Sequence, residues 1–542
     1  MFNRTIVLTF FAFLVLSGII FWLYLNEDLI KVDLSLNSEP SVDIQNLERV
    51  SRSSKKNVGL DFNISIPDND YLDLSVFANS EMLQDLTLGF KSLAAMKDFI
   101  IEAKKNGIQI RDQLDQVSMV RVRIRDLTKA AHFMDQWDEE IEPQYNFRVQ
   151  TPELPRAEFL DNEKGFGANA NQWMGTPEER KEWGRGIKVA ILDSGIDRRN
   201  SNLDGVQIQE IDLIGGSDMS RGHGTAIASI IAGNEKGQLG LSPSASLLSI
   251  RVLDSQGEGD SFTVAKGIIK AADQGAQVIN LSLGGSSGGT VLKNAIEYAH
   301  QKGAVVVAAV GNEGVEGVSY PAKFEKVIGV TSVDSNGRQS SFANYGEGVD
   351  IAAPGVGVFT AWENEEMVSF SGTSTATAFV SGALAAELSK NPNLSSDQVL
   401  DIIYKYSNES EKPGFDQYTG NGILNIGRIE NRDVPNIHDG AIVGYYFEPE
   451  NLAGGTTPFL VSVQNQGTSW LNNLNLKVEY RGVVKNFLFN NLNPGETRSE
   501  QLFLDGSNGE GKGVKISSSL TINGYQDQNL QNNTRVSTIL LP

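Results

Sequence analysis

Five apolar, β-branched segments punctuate the middle of the chain: IKVAILD (187–193), SLLSIRVL (246–253), AQVINLSL (276–283), GAVVVAAV (303–310) and KVIGVTSV (326–333). Stretches of helical character, 224–232, 263–273, 290–301 and 374–390, lie between and after them. A strand that is apolar on both faces cannot leave either face in water. The alternation therefore predicts a parallel sheet covered by helices on both sides, a three-layer α/β domain over 173–435. Open sheets of this kind collect their working residues at the carboxyl ends of the strands.

Four residues stand at such places. Asp193 closes the first strand, in ILDSGID; His223 opens a run of small residues in RGHGTAIASIIAG; Asn312 follows a strand in AAVGNEG; Ser374 lies in FSGTSTATAFVSG at the mouth of a helix. Alone, each has an ordinary explanation: a turn, a structural histidine, another turn and a helix N-cap. The glycines beside His223 let other groups approach its backbone. Together, the set supplies an activated hydroxyl. Serine is a poor nucleophile at its own pKa, a neutral histidine can take its proton, and a carboxylate holds the imidazole in the right tautomer. Backbone N–H groups at a helix mouth and an asparagine amide suit a developing oxyanion. A histidine base must be neutral, so activity should fall as it protonates in acid. In the same run, Thr373 and Thr375 read as packing and backbone satisfaction, and Ser371 as part of the incoming strand.

The order Asp…His…Ser, with DSGID, GHGTAIAS and SGTSTATAFVSG as three blocks, resembles the subtilisin-like serine proteases, the subtilases. NLSLGG (280–285), YPAKF (320–324), SFANYG (341–346), VDIAAPG (349–355) and GNGILN (420–425) extend the resemblance in family order. It implies a subtilisin-like α/β fold and a serine endopeptidase acting on polypeptides through an acyl-enzyme. It places Asp193, His223 and Ser374 as the triad and Asn312 in the oxyanion hole. Ser282, Leu283 and Gly284 fall on the edge that pairs with substrate backbone, although by themselves they read as a strand-end turn. Gly311 and Glu313 fall near the pocket for the side chain before the cut, where Glu313 would favour a basic group. Three positions depart from family habit. Thr375 replaces the usual Met after the nucleophile, Ala378 stands where Pro is usual, and Phe379 where His is frequent. These leave the triad intact and bear on pocket shape and preference.

Residues 61–150 read as a small α+β domain. FNISI and MVRVRIR (119–125) alternate as strands, while 90–105 and 126–137 carry helical apolar spacing. Ending in EEIEPQYNFRV, the domain resembles the inhibitory propeptide of subtilases, which implies a zymogen and an intramolecular inhibitor; the lesser alternative is an unrelated small binding domain. Residues 151–172, rich in Pro, Gly and Asn, read as a linker, and the cut implied by the resemblance lies between Val149 and Asn171. Residues 436–542 alternate apolar and polar positions between Asn/Gly turns, an antiparallel β-sandwich pattern. VSVQNQG and LNPGE resemble the adhesion-type (CARDB-like) domains of bacterial surface proteins, with a partner the sequence does not identify.

At the amino terminus, 6–25 is uncharged and long enough at ~1.5 Å per residue to span a ~30 Å hydrocarbon core. Residues 1–27 therefore read as a membrane anchor, or as a secretory signal, ahead of a stalk at 28–60; either places the protease outside the cytoplasm. The absence of cysteine rules out disulfides and cysteine nucleophiles. A net charge of −21 argues against nucleic acid as a partner. The chemistry requires no cofactor; structural calcium is compatible with the family resemblance, without assignable ligands. The competing reading is a catalytically silent protease-like fold that binds through its β-sandwich.

Overall fold

The computed structural model describes residues 85–540 apart from 138–140, 161–162, 217–219, 235–238, 411–413, 448–455 and 506–512. The 6–25 segment, the stalk and FNISI lie outside the described residues. Among the described residues no helix is long and apolar enough to cross a membrane. The chain divides into two compact units, one holding the residues up to Phe147 with 289–294, the other the remainder from Arg148.

The first unit runs β1 (Leu86–Phe90), α1 (Leu93–Ala103), β2 (Ile108–Leu114), β3 (Met119–Ile124), α2 (Leu127–Gln136) and β4 (Ile141–Tyr145). Its antiparallel sheet has the order β2-β3-β1-β4. The Ser92 and Asp126 side chains cap the two helices by accepting from backbone N–H groups three residues on. Phe99 of α1, fully buried, sits beside Phe90, Phe133 and Trp137 at ring distances of 5.0–5.3 Å.

The second unit opens with β5 (Arg148–Gln150) and two single-turn helices, α3 (Ala157–Leu160) and α4 (Ala170–Trp173). The segment 151–172 is thus more than a linker. Phe166 belongs to the main core, and the N–H groups of Phe166 and Gly167 donate to Val356 and Gly357 carbonyls at 2.9 Å. The body follows as β6 (Lys188–Asp193), β7 (Ile208–Asp212), α5 (Gly222–Ala232), β8 (Ser246–Arg251), β9 (Glu258–Asp260), α6 (Ser261–Asp273), β10 (Val278–Leu281), α7 (Gly289–Gln301), β11 (Val305–Ala309), β12 (Val327–Val333) and β13 (Ile351–Pro354). Seven strands form one parallel sheet, order β13-β12-β11-β10-β6-β8-β7. The chain enters at β6, goes to the edge at β7, returns to β8 between them, then crosses β6 to continue from β10, so the strand order switches beside β6.

A hairpin of β14 (Val358–Ala361) and β15 (Met367–Phe370) leads into α8 (Thr373–Lys390), followed by α9 (Ser396–Lys405) and α10 (Ile426–Asn431). Every residue of α8 from Thr373 to Leu388 is buried. Its small and apolar residues face the core all round, as befits a central helix with no solvated stripe. Gly382 lets it close on Leu241, whose Cβ would lie 2.9 Å from an added methyl.

The carboxy-terminal region is a two-sheet β-sandwich. β16 (Gly440–Phe447), β17 (Thr456–Asn465) and β20 (Thr497–Asp505) make one sheet; β18 (Leu474–Tyr480), β19 (Val483–Phe489), β21 (Gly513–Ile522) and β22 (Thr534–Leu540) make the other. Phe459, Val461 and Val463 face Leu474, Leu476 and Val478 in its core. The buried Arg428 of α10 reaches it by donating to the Gln466 carbonyl at 3.3 Å, and burial pushes the guanidinium down to about 10.

Candidate active site

Asp193 ends β6 with its carboxylate only 1% exposed, and both oxygens meet His223 Nδ1, at 2.9 and 2.8 Å. The local sequence explains the approach. A Cβ on Gly224 would stand 2.2 Å from the Gly195 carbonyl oxygen, and one on Gly222 would stand 2.0 Å from the Trp362 ring. Glycine at both positions lets the DSGID turn and the Trp362 indole close on either side of the histidine. Thr225 secures that turn, accepting from Asp197 N–H at 2.8 Å and donating to the Arg221 carbonyl at 2.7 Å. Phe370 covers the imidazole edge-on at 5.5 Å and itself lies 5.8 Å from Trp362.

Ser374 is the second residue of α8 and 2% exposed. Gly372 ahead of it has φ 154°, ψ 162°, and a Cβ there would lie 3.1 Å from Asn312 Nδ2. That position suits glycine, which approaches the amide without a side chain. His223 bonds to Asp193, and the Ser374 hydroxyl makes no hydrogen bond to it. Asn312 Oδ1 accepts from the Thr373 N–H and hydroxyl, each at 2.9 Å. The Asn312 Nδ2 group donates at 2.8 Å to the Glu153 carbonyl. Thr373 was read from the sequence as packing and backbone satisfaction; its contact with the amide oxygen is a positioning role that reading missed. Thr375 is fully buried, and its hydroxyl has no partner among the described residues.

The proposed substrate edge divides by function. Gly284 exchanges backbone hydrogen bonds with Gln150 at 2.8 and 2.9 Å. Leu283 is wholly buried. Ser282 turns its hydroxyl inward, accepting from Asn280 at 3.0 Å and donating to the Ser374 carbonyl at 3.2 Å, so it braces α8. The Glu313 carboxylate accepts from Asn344 Nδ2 at 2.6 Å, and Asn344 also accepts from the Glu313 and Val315 N–H groups. Asn344, within the SFANYG motif, therefore pins the loop that carries Gly311 and Glu313. Gly311 has φ 111°, and a Cβ there would meet Asn344 Nδ2 at 2.4 Å. Ala378 and Phe379 are core residues of α8, not cleft residues. Among the described residues no three Asp, Glu or His side chains converge to hold a metal ion.

A parallel sheet whose strand ends gather a carboxylate–imidazole pair, a serine at a helix mouth and an oriented amide defines a serine-hydrolase architecture. Residues 184–422 match the subtilase family, Peptidase S8. Subtilisin DY of Bacillus licheniformis is 39% identical over 258 residues, 45% of this chain and 90% of that protein. Thermitase of Thermoactinomyces vulgaris is 43% identical over 205 residues, 37% of this chain and 74% of that protein. The chain belongs to the subtilase family of serine endopeptidases. The solved structure of an epidermin leader peptide processing serine protease from Staphylococcus aureus shares the fold, with a TM-score of 0.54 at 22% identity over 65% of this chain and 98% of that one.

Proposed function

We propose that the chain is an exported subtilisin-type endopeptidase made as a zymogen, with Ser374 as nucleophile, His223 as base, Asp193 as its orienting carboxylate and Asn312 as oxyanion donor. The observation that carries this is His223 Nδ1 within 2.9 and 2.8 Å of the two Asp193 oxygens, where Nδ1–H donates to the carboxylate and Nε2 is the nitrogen that takes a proton. In the forward step the Ser374 oxygen attacks the peptide carbonyl and its proton passes to His223. The imidazolium then protonates the leaving amine, and water releases the acyl-enzyme by the same route. The buried Asp193 stabilises the imidazolium, while Asn312 Nδ2 and N–H groups at the mouth of α8 meet the oxyanion.

The β-α-β-β-α-β unit at 85–147 supports the propeptide reading, with maturation between Val149 and Asn171. Export rests on the uncharged run 6–25, as anchor or signal. The β-sandwich serves to bind a partner or position the protease. Ser374→Ala tests the core of this reading: the purified variant should hydrolyse no polypeptide and remain full length. A variant that matures alone and at the normal rate contradicts it.

A further inference from the structure

Strand β5, Arg148–Gln150, lies between two backbone edges, and residues 151–153 lead from it to Asn312. β5 pairs antiparallel with β9, matching Arg148 with Asp260, Val149 with Gly259 and Gln150 with Glu258. The other edge of Gln150 pairs with Gly284, and Thr151 N–H donates to the Gly257 carbonyl at 2.9 Å. The segment is thus the middle strand of three, held by backbone groups that any extended peptide offers. Glycines make room for it. A Cβ on Gly285 would stand 2.6 Å from the Arg148 carbonyl oxygen, and one on Gly257 would stand 2.5 Å from the Thr151 hydroxyl, while Val149 between them is fully buried. Further along, the Glu153 carbonyl accepts from Asn312 Nδ2 at 2.8 Å.

We propose that Glu153–Leu154 is the bond this chain cuts in itself, so that the mature enzyme begins at Leu154. The inference rests on the proteolytic reading above and adds to it the identity of the bond. Its carbonyl is the one that meets the proposed oxyanion donor. Leu154, on the leaving side, is 70% exposed, so the departing amine has water to enter. The Ser374 oxygen bonds to the Glu153 carbonyl carbon and its proton moves to His223. The C–N bond to Leu154 breaks as that proton passes to the Leu154 nitrogen, and one water then yields the Glu153 carboxylate and free Ser374.

The two sides of the cut are held differently. Downstream, Phe159 and Leu160 pack on Phe342, Ala343 and Val356, and Glu163 accepts from Ser341 N–H at 2.6 Å. With the Phe166 and Gly167 backbone bonds, these contacts fasten Phe159, Leu160, Glu163, Phe166 and Gly167 to the catalytic body. Upstream, 148–153 is held through exchangeable strand pairing and the Arg148–Glu258 ion pair, and it blocks the cleft until it leaves.

Full-length wild-type chain is matured, and the new amino terminus is read by mass spectrometry and amino-terminal sequencing. Leu154 is expected. Any other terminus, Glu153 or a residue from Pro155 to Gln172 included, overturns the assignment of the bond. If such a terminus comes with polypeptide hydrolysis, the proteolytic reading survives; no processing and no hydrolysis removes both. Independently, Leu154→Pro places a ring nitrogen without an N–H at the leaving position and should slow maturation at least ~10-fold. Because Leu154 is exposed, thermal unfolding should not change; processing at the wild-type rate would overturn the proposal.

Discussion

Asn312 Oδ1 accepts two hydrogen bonds from Thr373, one from its backbone N–H and one from its hydroxyl, both at 2.9 Å. The amide cannot flip without losing both, so its N–H face is held toward the cleft, where it meets the Glu153 carbonyl. A donor fixed in advance of charge development costs no reorganisation in the transition state. Asn312→Ala should therefore lower kcat by about 10²–10³-fold, with a much smaller change in KM. Steady-state kinetics on a peptide substrate checks this, and an unchanged kcat would remove the amide from the oxyanion site.

Gly222 is the narrowest point beside His223. A methyl there would overlap the Trp362 ring at 2.0 Å, and Trp362 packs on Phe370, which covers the imidazole. Gly222→Ala should cost about 1–3 kcal/mol as overpacking and reduce activity through displacement of the cover. Adding Trp362→Ala should recover part of the lost stability. Thermal unfolding of the single and double variants decides the point; equal losses in both would show that the clash is not the cause.

Asp350 carries a stability term that depends on pH. Burial raises its carboxyl from 3.8 to about 6, against the opposing Gly329 N–H bond at 2.8 Å. The folded state thus binds a proton that the unfolded state has already released between these values. Stability from this group is greatest below the ordinary carboxylate value and is lost as pH rises toward about 6. The penalty above that window is up to roughly 3 kcal/mol. Asp350→Asn should unfold at higher temperature than wild type at pH 7, with the gap closing as pH falls toward 4. A gap that does not change with pH would contradict the assignment.

Thr375 departs from the Met usual in the family, and its buried hydroxyl has no partner among the described residues. A buried donor without an acceptor costs about 1–3 kcal/mol. Thr375→Val keeps the shape and removes that polar group, so it should raise the unfolding temperature and leave kcat near wild type. A lower unfolding temperature would mean that the hydroxyl is satisfied in solution.

The parallel core was legible because each of its main strands is buried on both faces and reads as an unbroken apolar run. What escaped was chemistry of the opposite kind. β7 (IQEID) has only half-exposed and exposed positions at the sheet edge, and β9 is three residues around a glycine, so neither has an apolar signature. The placement of Asp193 at a strand end and of Ser374 at the mouth of α8 was legible from small-residue motifs, and Gly222 and Gly224 let neighbours close on His223. Thr373's hold on Asn312 was not, since it depends on two loops meeting in space. The segment 151–172 read as a linker because Pro, Gly and Asn dominate it, yet Phe166 anchors it in the core. Thr375, Ala378 and Phe379 lie inside α8 rather than along the cleft, so these departures adjust the packing of the helix that presents Ser374.

The central claim, that Ser374 is a nucleophile activated by His223, is tested most directly by labelling the matured wild-type protein with a serine-directed fluorophosphonate. The account predicts one adduct, mapped by mass spectrometry to Ser374, strongly reduced in His223→Ala and absent in Ser374→Ala. No labelling of the folded wild type, or labelling that persists in Ser374→Ala, would contradict it.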